Sequence, residues 1–137
     1  PIAEDLARLY GIESDVRFLG KQEQMEDILA VSDLFLLPSE YESFGLVALE
    51  AMASSVAVIS SNAGGLAEIN IDGKTGYTAD VGDVATMSNR AIELLKDDAQ
   101  LKAFKHNALE QAKLFDIHHI IPIYENLYRR FCRTGDC

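Results

Sequence analysis

Two glutamates with seven residues between them, Glu42 and Glu50, bracket the turn Phe44-Gly45-Leu46 in the run SEYESFGLVALEAMA. A carboxylate has two oxygens and accepts two hydroxyl hydrogen bonds at once, so Glu50 suits a diol such as a ribose. Where a turn opens a helix, the first N–H groups lack intrahelical partners and the positive end of the dipole lies beside them. That suits an anion such as a diphosphate, and Gly45 allows the backbone to come close. The plain alternative is a strand-to-helix turn that contains glycine for its own sake. Glu50 is flanked by Ala48, Leu49, Ala51, Met52 and Ala53, which predicts a carboxylate buried on an apolar helix. Burying an unpaired carboxylate costs several kcal/mol, so a dedicated partner is expected; the alternative is an ordinary solvated helix face. Glu42, ahead of the helix, is placed to reach hydroxyls at the far end of a nucleotide diphosphate sugar. Two carboxylates beside a diphosphate are electrostatically compatible only if they hold the hydroxyl-bearing ends and the helix start holds the phosphates.

Other candidates are weaker. Gly64-Gly65 followed by Glu68 reads either as a turn with an acidic first-turn residue or as a place where backbone approaches a sugar. Asp72-Gly73 and Thr75-Gly76 are turns. His106, His118 and His119 fall in helical segments far from these loops and are expected on the surface or in the core. No His, Cys, Asp or Glu cluster has metal-ligand spacing, and no metal or cofactor is expected. Cys132 and Cys137, in the last six residues, support neither a disulfide framework nor a zinc site.

The elements that must hold these residues alternate. Ile2, Leu6 and Leu9 mark a helix closed by Tyr10-Gly11, the run DVRFLG reads as a short strand ending at Gly20, and EQMEDILAVSD is helical. LFLLPS and VAVIS are continuously apolar, as expected of strands buried on both faces of a parallel sheet. GLVALEAMA is a helix, LAEIN a short helix, and TGYTA a last strand. From Asp83 the pattern is wholly helical, in three segments running to about Phe131. This predicts an α/β fold, a partial doubly wound, Rossmann-like parallel sheet finished by helices, with ligands at the carboxyl ends of the strands. Three loops lie there: Gly20 to Gln22, Pro38 to Gly45, and Ser60 to Gly65.

The chain has 137 residues, is 48% hydrophobic and carries a net charge of −10. That is the composition of one soluble globular domain with no basic stripe for nucleic acid. No apolar run reaches the roughly 20 residues of a membrane helix, and the first residues have no secretory pattern, so a cytoplasmic location is expected. The chain starts at Pro1 directly on a helical pattern, which reads as part of a larger protein.

The ordered set ESFGLVALEAMA and then GGLAEINIDGKTGY resembles the retaining glycosyltransferases of family four, which have the two-domain GT-B architecture. Within that family FLGKQ, SEYESFGLVALEAMA, GGLAEIN, GYTADVGDV and FDIHHIIPIYENLY look most like members that transfer N-acetylglucosamine from UDP-GlcNAc to L-malate. The resemblance implies an incomplete C-terminal donor-binding domain over residues 1–131, with a tail at 132–137 and a helical region from about 83. It also implies an absent N-terminal acceptor domain and absent first two donor-domain strands, with the Arg and Lys that neutralise the leaving diphosphate. By resemblance Glu50 binds the ribose, Glu42, Ser43, Phe44 and Gly45 the donor sugar, Gly45 and Leu46 the diphosphate, and Leu19, Gly20 and Lys21 the uracil. The strand order implied separates VRFLG from LFLLPS by the two absent strands, so either these pair directly or a partner chain fills the gap. Other readings are a family member with a different donor or acceptor, and a non-catalytic binding module. Ser55, Ala57 and Ala67 stand where the family usually has Gly, Pro and Pro. Losing these turn residues is expected to loosen the donor site by about 0.5–1 kcal/mol each.

Overall fold

The computed structural model describes residues 2–118, 121, 122, 125 and 126. Its elements in chain order are α1 (Ile2–Leu9), α2 (Met25–Ala30), β1 (Leu34–Leu37), α3 (Leu46–Ala53), β2 (Ala57–Ser61), α4 (Leu66–Ile69), β3 (Gly76–Ala79), α5 (Val84–Lys96) and α6 (Asp98–Lys113). The strands form one parallel sheet in the order β1-β2-β3, with Leu34 opposite Ala57 and Val58 opposite Gly76. All five residues of β2, its two serines included, are buried, as befits a central parallel strand. By contrast β1, expected to be buried on both faces, lies at the edge of the described sheet with Leu36 exposed, because it has a neighbour on one side only.

Because successive side chains point to opposite faces, β2 feeds two cores. Val58 joins Leu29, Ala48, Met52, Leu66 and Ile69 on the face covered by α2, α3 and α4. Ala57 and Ile59 join Tyr77, Met87, Ala91 and Leu94 on the face covered by α5. Helix α6 contributes to both, with Leu101 and Phe104 in the second core and Ala108 in the first. Asp97 caps it by accepting from the Gln100 N–H at 3.0 Å.

A buried polar knot joins β2, β3 and the loop between them. The Asn70 amide lies 3.1 Å from the Val58 carbonyl, 3.0 Å from Ser60 Oγ and 3.1 Å from the Tyr77 carbonyl, while its oxygen accepts from the Thr75 hydroxyl at 2.8 Å. Every buried side-chain polar atom among the described residues has a partner, so this network satisfies its own desolvation.

The expected strand at VRFLG is absent. Residues 16–20 form no ladder, and β1 pairs with β2 alone among the described residues. A strand exists only through its hydrogen-bonded neighbour, and the direct pairing of this segment with β1 is not formed. Phe18 and Leu19 are consequently exposed. The first two helices of the terminal helical region appear as α5 and α6. Of the third, residues 117, 118, 121, 122, 125 and 126 are helical, while His119, Cys132 and Cys137 lie outside the described residues.

Candidate functional site

The loop after β1 and the loop after β2 meet at the carboxyl ends of the sheet, where the alternation of strands and helices places ligands. Their contact explains the paired glycines. A Cβ on Gly64 would sit 1.6 Å from the Glu42 carbonyl oxygen, and one on Gly65 would sit 3.0 Å from that of Ser43. Gly64-Gly65 is therefore the seat of the Glu42-Ser43-Phe44 backbone. The Ser61 hydroxyl ties the same loop down by donating to the Ser39 carbonyl.

Helix α3 opens at Gly45, whose φ of 87° is left-handed, a conformation that favours glycine. A Cβ there would also meet the Leu66 side chain at 2.7 Å. Gly45 has no side chain with which to cap the helix. Instead the half-buried Glu42 turns back, and its Oε1 accepts from the Gly45 N–H at 3.1 Å. The N–H groups of the first turn beyond it are left to outside acceptors. Phe44 and Leu46 flank this helix start and are 49% and 62% exposed.

Glu50 is exposed, contrary to the expectation of burial. The apolar neighbours that suggested burial lie on two sides of α3: Ala48, Ala51 and Met52 face the core, while Leu46, Glu50 and Ala53 form an outward stripe at helical spacing. The Ser54 hydroxyl donates to the Glu50 backbone carbonyl at 3.1 Å, but no hydrogen bond or ion pair reaches the Glu50 carboxylate among the described residues. The burial penalty therefore does not argue for a partner. What stands in its place is position: the carboxylate is one turn from the helix start, about 6 Å along the axis, on a ridge between two open grooves.

One groove, of about 420 Å³, lies between α2 and α3 and is walled by Glu23, Met25, Glu26, Leu29, Glu50 and Ser54. Leu19, Gly20 and Lys21 precede that wall along the chain; all three are exposed, and the Gln22 side-chain amide donates to the Leu19 carbonyl. The other, also about 420 Å³, runs between α3 and α6 past Leu46, Glu50, Leu109, Lys113, Phe115 and Asp116. In it the Lys113 ammonium hydrogen-bonds Glu110 at 2.7 Å and holds that carboxyl below its ordinary value.

The structure thus gathers Glu42, Ser43, Phe44, Gly45, Leu46 and Glu50 around one helix start, whereas Leu19, Gly20 and Lys21 are exposed and line neither groove. His106 and His118 are exposed and distant from this start in sequence. Among the described residues no group of three His, Cys, Asp or Glu could hold a metal ion. No helix there is long and apolar enough to cross a membrane. Sequence reasoning missed Phe115, whose ring meets Phe44 edge to face with centroids 6.3 Å apart. An aromatic at the end of an amphipathic helix carries no local signal of a partner so far away in sequence.

Comparison with solved structures defines the class. Sucrose-phosphate synthase from Thermosynechococcus elongatus superimposes with a TM-score of 0.84 at 31% identity, over 96% of this chain and 34% of that one. HepE from Anabaena, solved in complex with UDP, gives 0.85 at 27% identity, over 93% of this chain and 36% of that one. The fold is that of the GT-B glycosyltransferases, of which this sheet is a part. The family described as glycosyl transferases group 1 matches residues 3–111, and the chain belongs to that family. Among curated relatives, N-acetyl-alpha-D-glucosaminyl L-malate synthase of Bacillus anthracis is 45% identical over 118 residues, covering 85% of this chain and 31% of the relative. D-inositol 3-phosphate glycosyltransferase of Corynebacterium kroppenstedtii is 38% identical over 133 residues, 93% of this chain and 30% of the relative. The chain spans about a third of the length of these relatives.

Proposed function

We propose that this chain, over residues 1–131 with a tail at 132–137, is the donor-binding part of a retaining glycosyltransferase that moves N-acetylglucosamine from UDP-GlcNAc to the hydroxyl of L-malate. In that reaction the bond from the anomeric carbon to the diphosphate breaks, the malate oxygen takes its place with the same configuration, and UDP leaves. The observation that carries the reading is the helix start between Glu42 and Glu50, set in a chain 45% identical over 118 residues to an N-acetyl-alpha-D-glucosaminyl L-malate synthase. The first-turn N–H groups, which have no intrahelical acceptor, suit the diphosphate, the outward Glu50 suits the two ribose hydroxyls, and the exposed Leu19, Gly20 and Lys21 suit the uracil. Glu42, whose carboxylate spends one oxygen on Gly45, has the other for the donor sugar alongside Ser43 and Phe44. No metal belongs to this reading, and a cytoplasmic site of action does.

A second reading keeps the donor site and changes the acceptor, because a D-inositol 3-phosphate glycosyltransferase is 38% identical over almost the whole chain. Acceptor choice would lie outside the residues of this chain in either case.

The full-length protein that carries this chain is expected to release UDP from UDP-GlcNAc when L-malate is added. Release with inositol 3-phosphate and none with malate would move the assignment to the second reading. In the same protein Glu50→Ala is expected to weaken UDP binding by roughly 1.5–3 kcal/mol, the worth of hydrogen bonds to a charged group. Equal UDP affinity in calorimetry would remove Glu50 from the ribose site.

A further inference from the structure

The helix start at Gly45 is fixed by what surrounds it, since α3 has no side-chain cap from its own N-cap residue. Three of its supports come from the two neighbouring loops and α4: the Glu42 carboxylate on the Gly45 N–H, the Gly64-Gly65 backbone under Glu42 and Ser43, and the Leu66 side chain under Gly45. The fourth comes from the far end of the described chain. Phe115 packs against the first core and ends α6, its N–H donating to the Ala112 carbonyl at 3.0 Å. Its ring meets Phe44 at 6.3 Å between centroids and 76° between planes, within the favoured edge-to-face range.

Phe44 stays half exposed despite this contact, so it is not simply a core residue. It is the residue whose rotation would swing the following Gly45 and Leu46 N–H groups. We infer that Phe115 is a positioning residue: it fixes Phe44, and through it the Phe44-Gly45-Leu46 turn, from the point where α6 hands over to the terminal segment. The inference deepens the reading of this turn as the diphosphate site and rests on it for its ligand. It also makes the order of the donor turn depend on the packing of α6.

The test compares Phe115→Leu, which removes the ring, with Phe115→Tyr, which keeps it. Phe104→Leu is the control: Phe104 makes the comparable aromatic pair with Tyr77, at 5.3 Å, on the opposite face of the sheet. Amide hydrogen exchange is read in the 137-residue chain, and UDP affinity in the full-length protein. Phe115→Leu is expected to speed exchange at Gly45 and Leu46 relative to α5 and to weaken UDP binding roughly 2- to 10-fold, the range an aromatic pair supports. Phe115→Tyr restores both, and Phe104→Leu moves neither at a similar loss of Tm. Unchanged exchange at Gly45 and Leu46 in Phe115→Leu overturns the inference, as does an equal effect of Phe104→Leu. If the parent protein binds no UDP, the functional reading falls, and the exchange measurement alone still decides whether Phe115 holds the turn.

Discussion

Ser55 ends α3 with a φ of 58°, the one left-handed residue other than glycine among those described. The Val56 N–H donates to the Ala51 carbonyl and the Ser55 N–H to that of Met52, both at 3.0 Å, which is the Schellman arrangement with Ser55 at the position glycine favours. A side chain at this position lowers the entropy of the unfolded loop, but the structure shows the strain it brings to the folded state, because a Cβ is disfavoured at this φ. Ser55→Gly is expected to raise stability by about 1 kcal/mol, read as a higher urea midpoint at unchanged slope. An unchanged or lower midpoint would show that the Ser55 side chain compensates. Glu50 teaches the complementary lesson. Its apolar neighbours were visible in the sequence, but a helix has sides, and only the packing of α3 against β2 and α6 decides which side is outward.

At the scale of elements, the continuous apolar runs LFLLPS and VAVIS and the helices α5 and α6 were legible because their signals are local. Each has its period, its caps and its stop. Asp83 shows such a signal at work. It caps α5 by accepting from the Thr86 hydroxyl at 2.7 Å and the Thr86 N–H at 3.0 Å. Those bonds, the hydroxyl first, hold its carboxyl below the ordinary value of 3.8. The folded pKa is depressed, so the unfolded chain takes up the proton more readily. The stability from this cap is full above the unfolded value and is lost as pH falls through the folded one. Asn caps without titrating, so the stability difference between the parent and Asp83→Asn should be constant above about pH 5 and change only toward acid. Urea melts at several pH values would detect it, and parallel profiles down to pH 2 would contradict it. VRFLG failed as a strand for the opposite reason: its β-rich composition is local, but the ladder that makes a strand is not.

For the molecule as a whole, two features bear on ligand affinity. The chain carries a net charge of −10, and Lys113, the lysine in the groove beside Glu50, is already paired with Glu110. Attraction for a diphosphate then rests on the α3 helix start, and a helix end is worth only about 0.3–1 kcal/mol to an exposed anion. The 137-residue chain alone is therefore expected to bind UDP with a Kd weaker than about 100 μM, measured by calorimetry. Micromolar binding would mean that no basic contribution from outside this chain is needed.

The sequence by itself determined the class of fold, the position of the helix start and the residue types around it, because apolar periodicity, turn chemistry and the Glu42 to Glu50 spacing are written within short windows. Only the tertiary structure decided that Glu50 faces outward, that Gly64-Gly65 seats the Glu42 backbone and that Phe115 abuts Phe44. Each of these depends on which surfaces meet across the fold, and a contact between residues far apart along the chain leaves no trace in the local pattern of either.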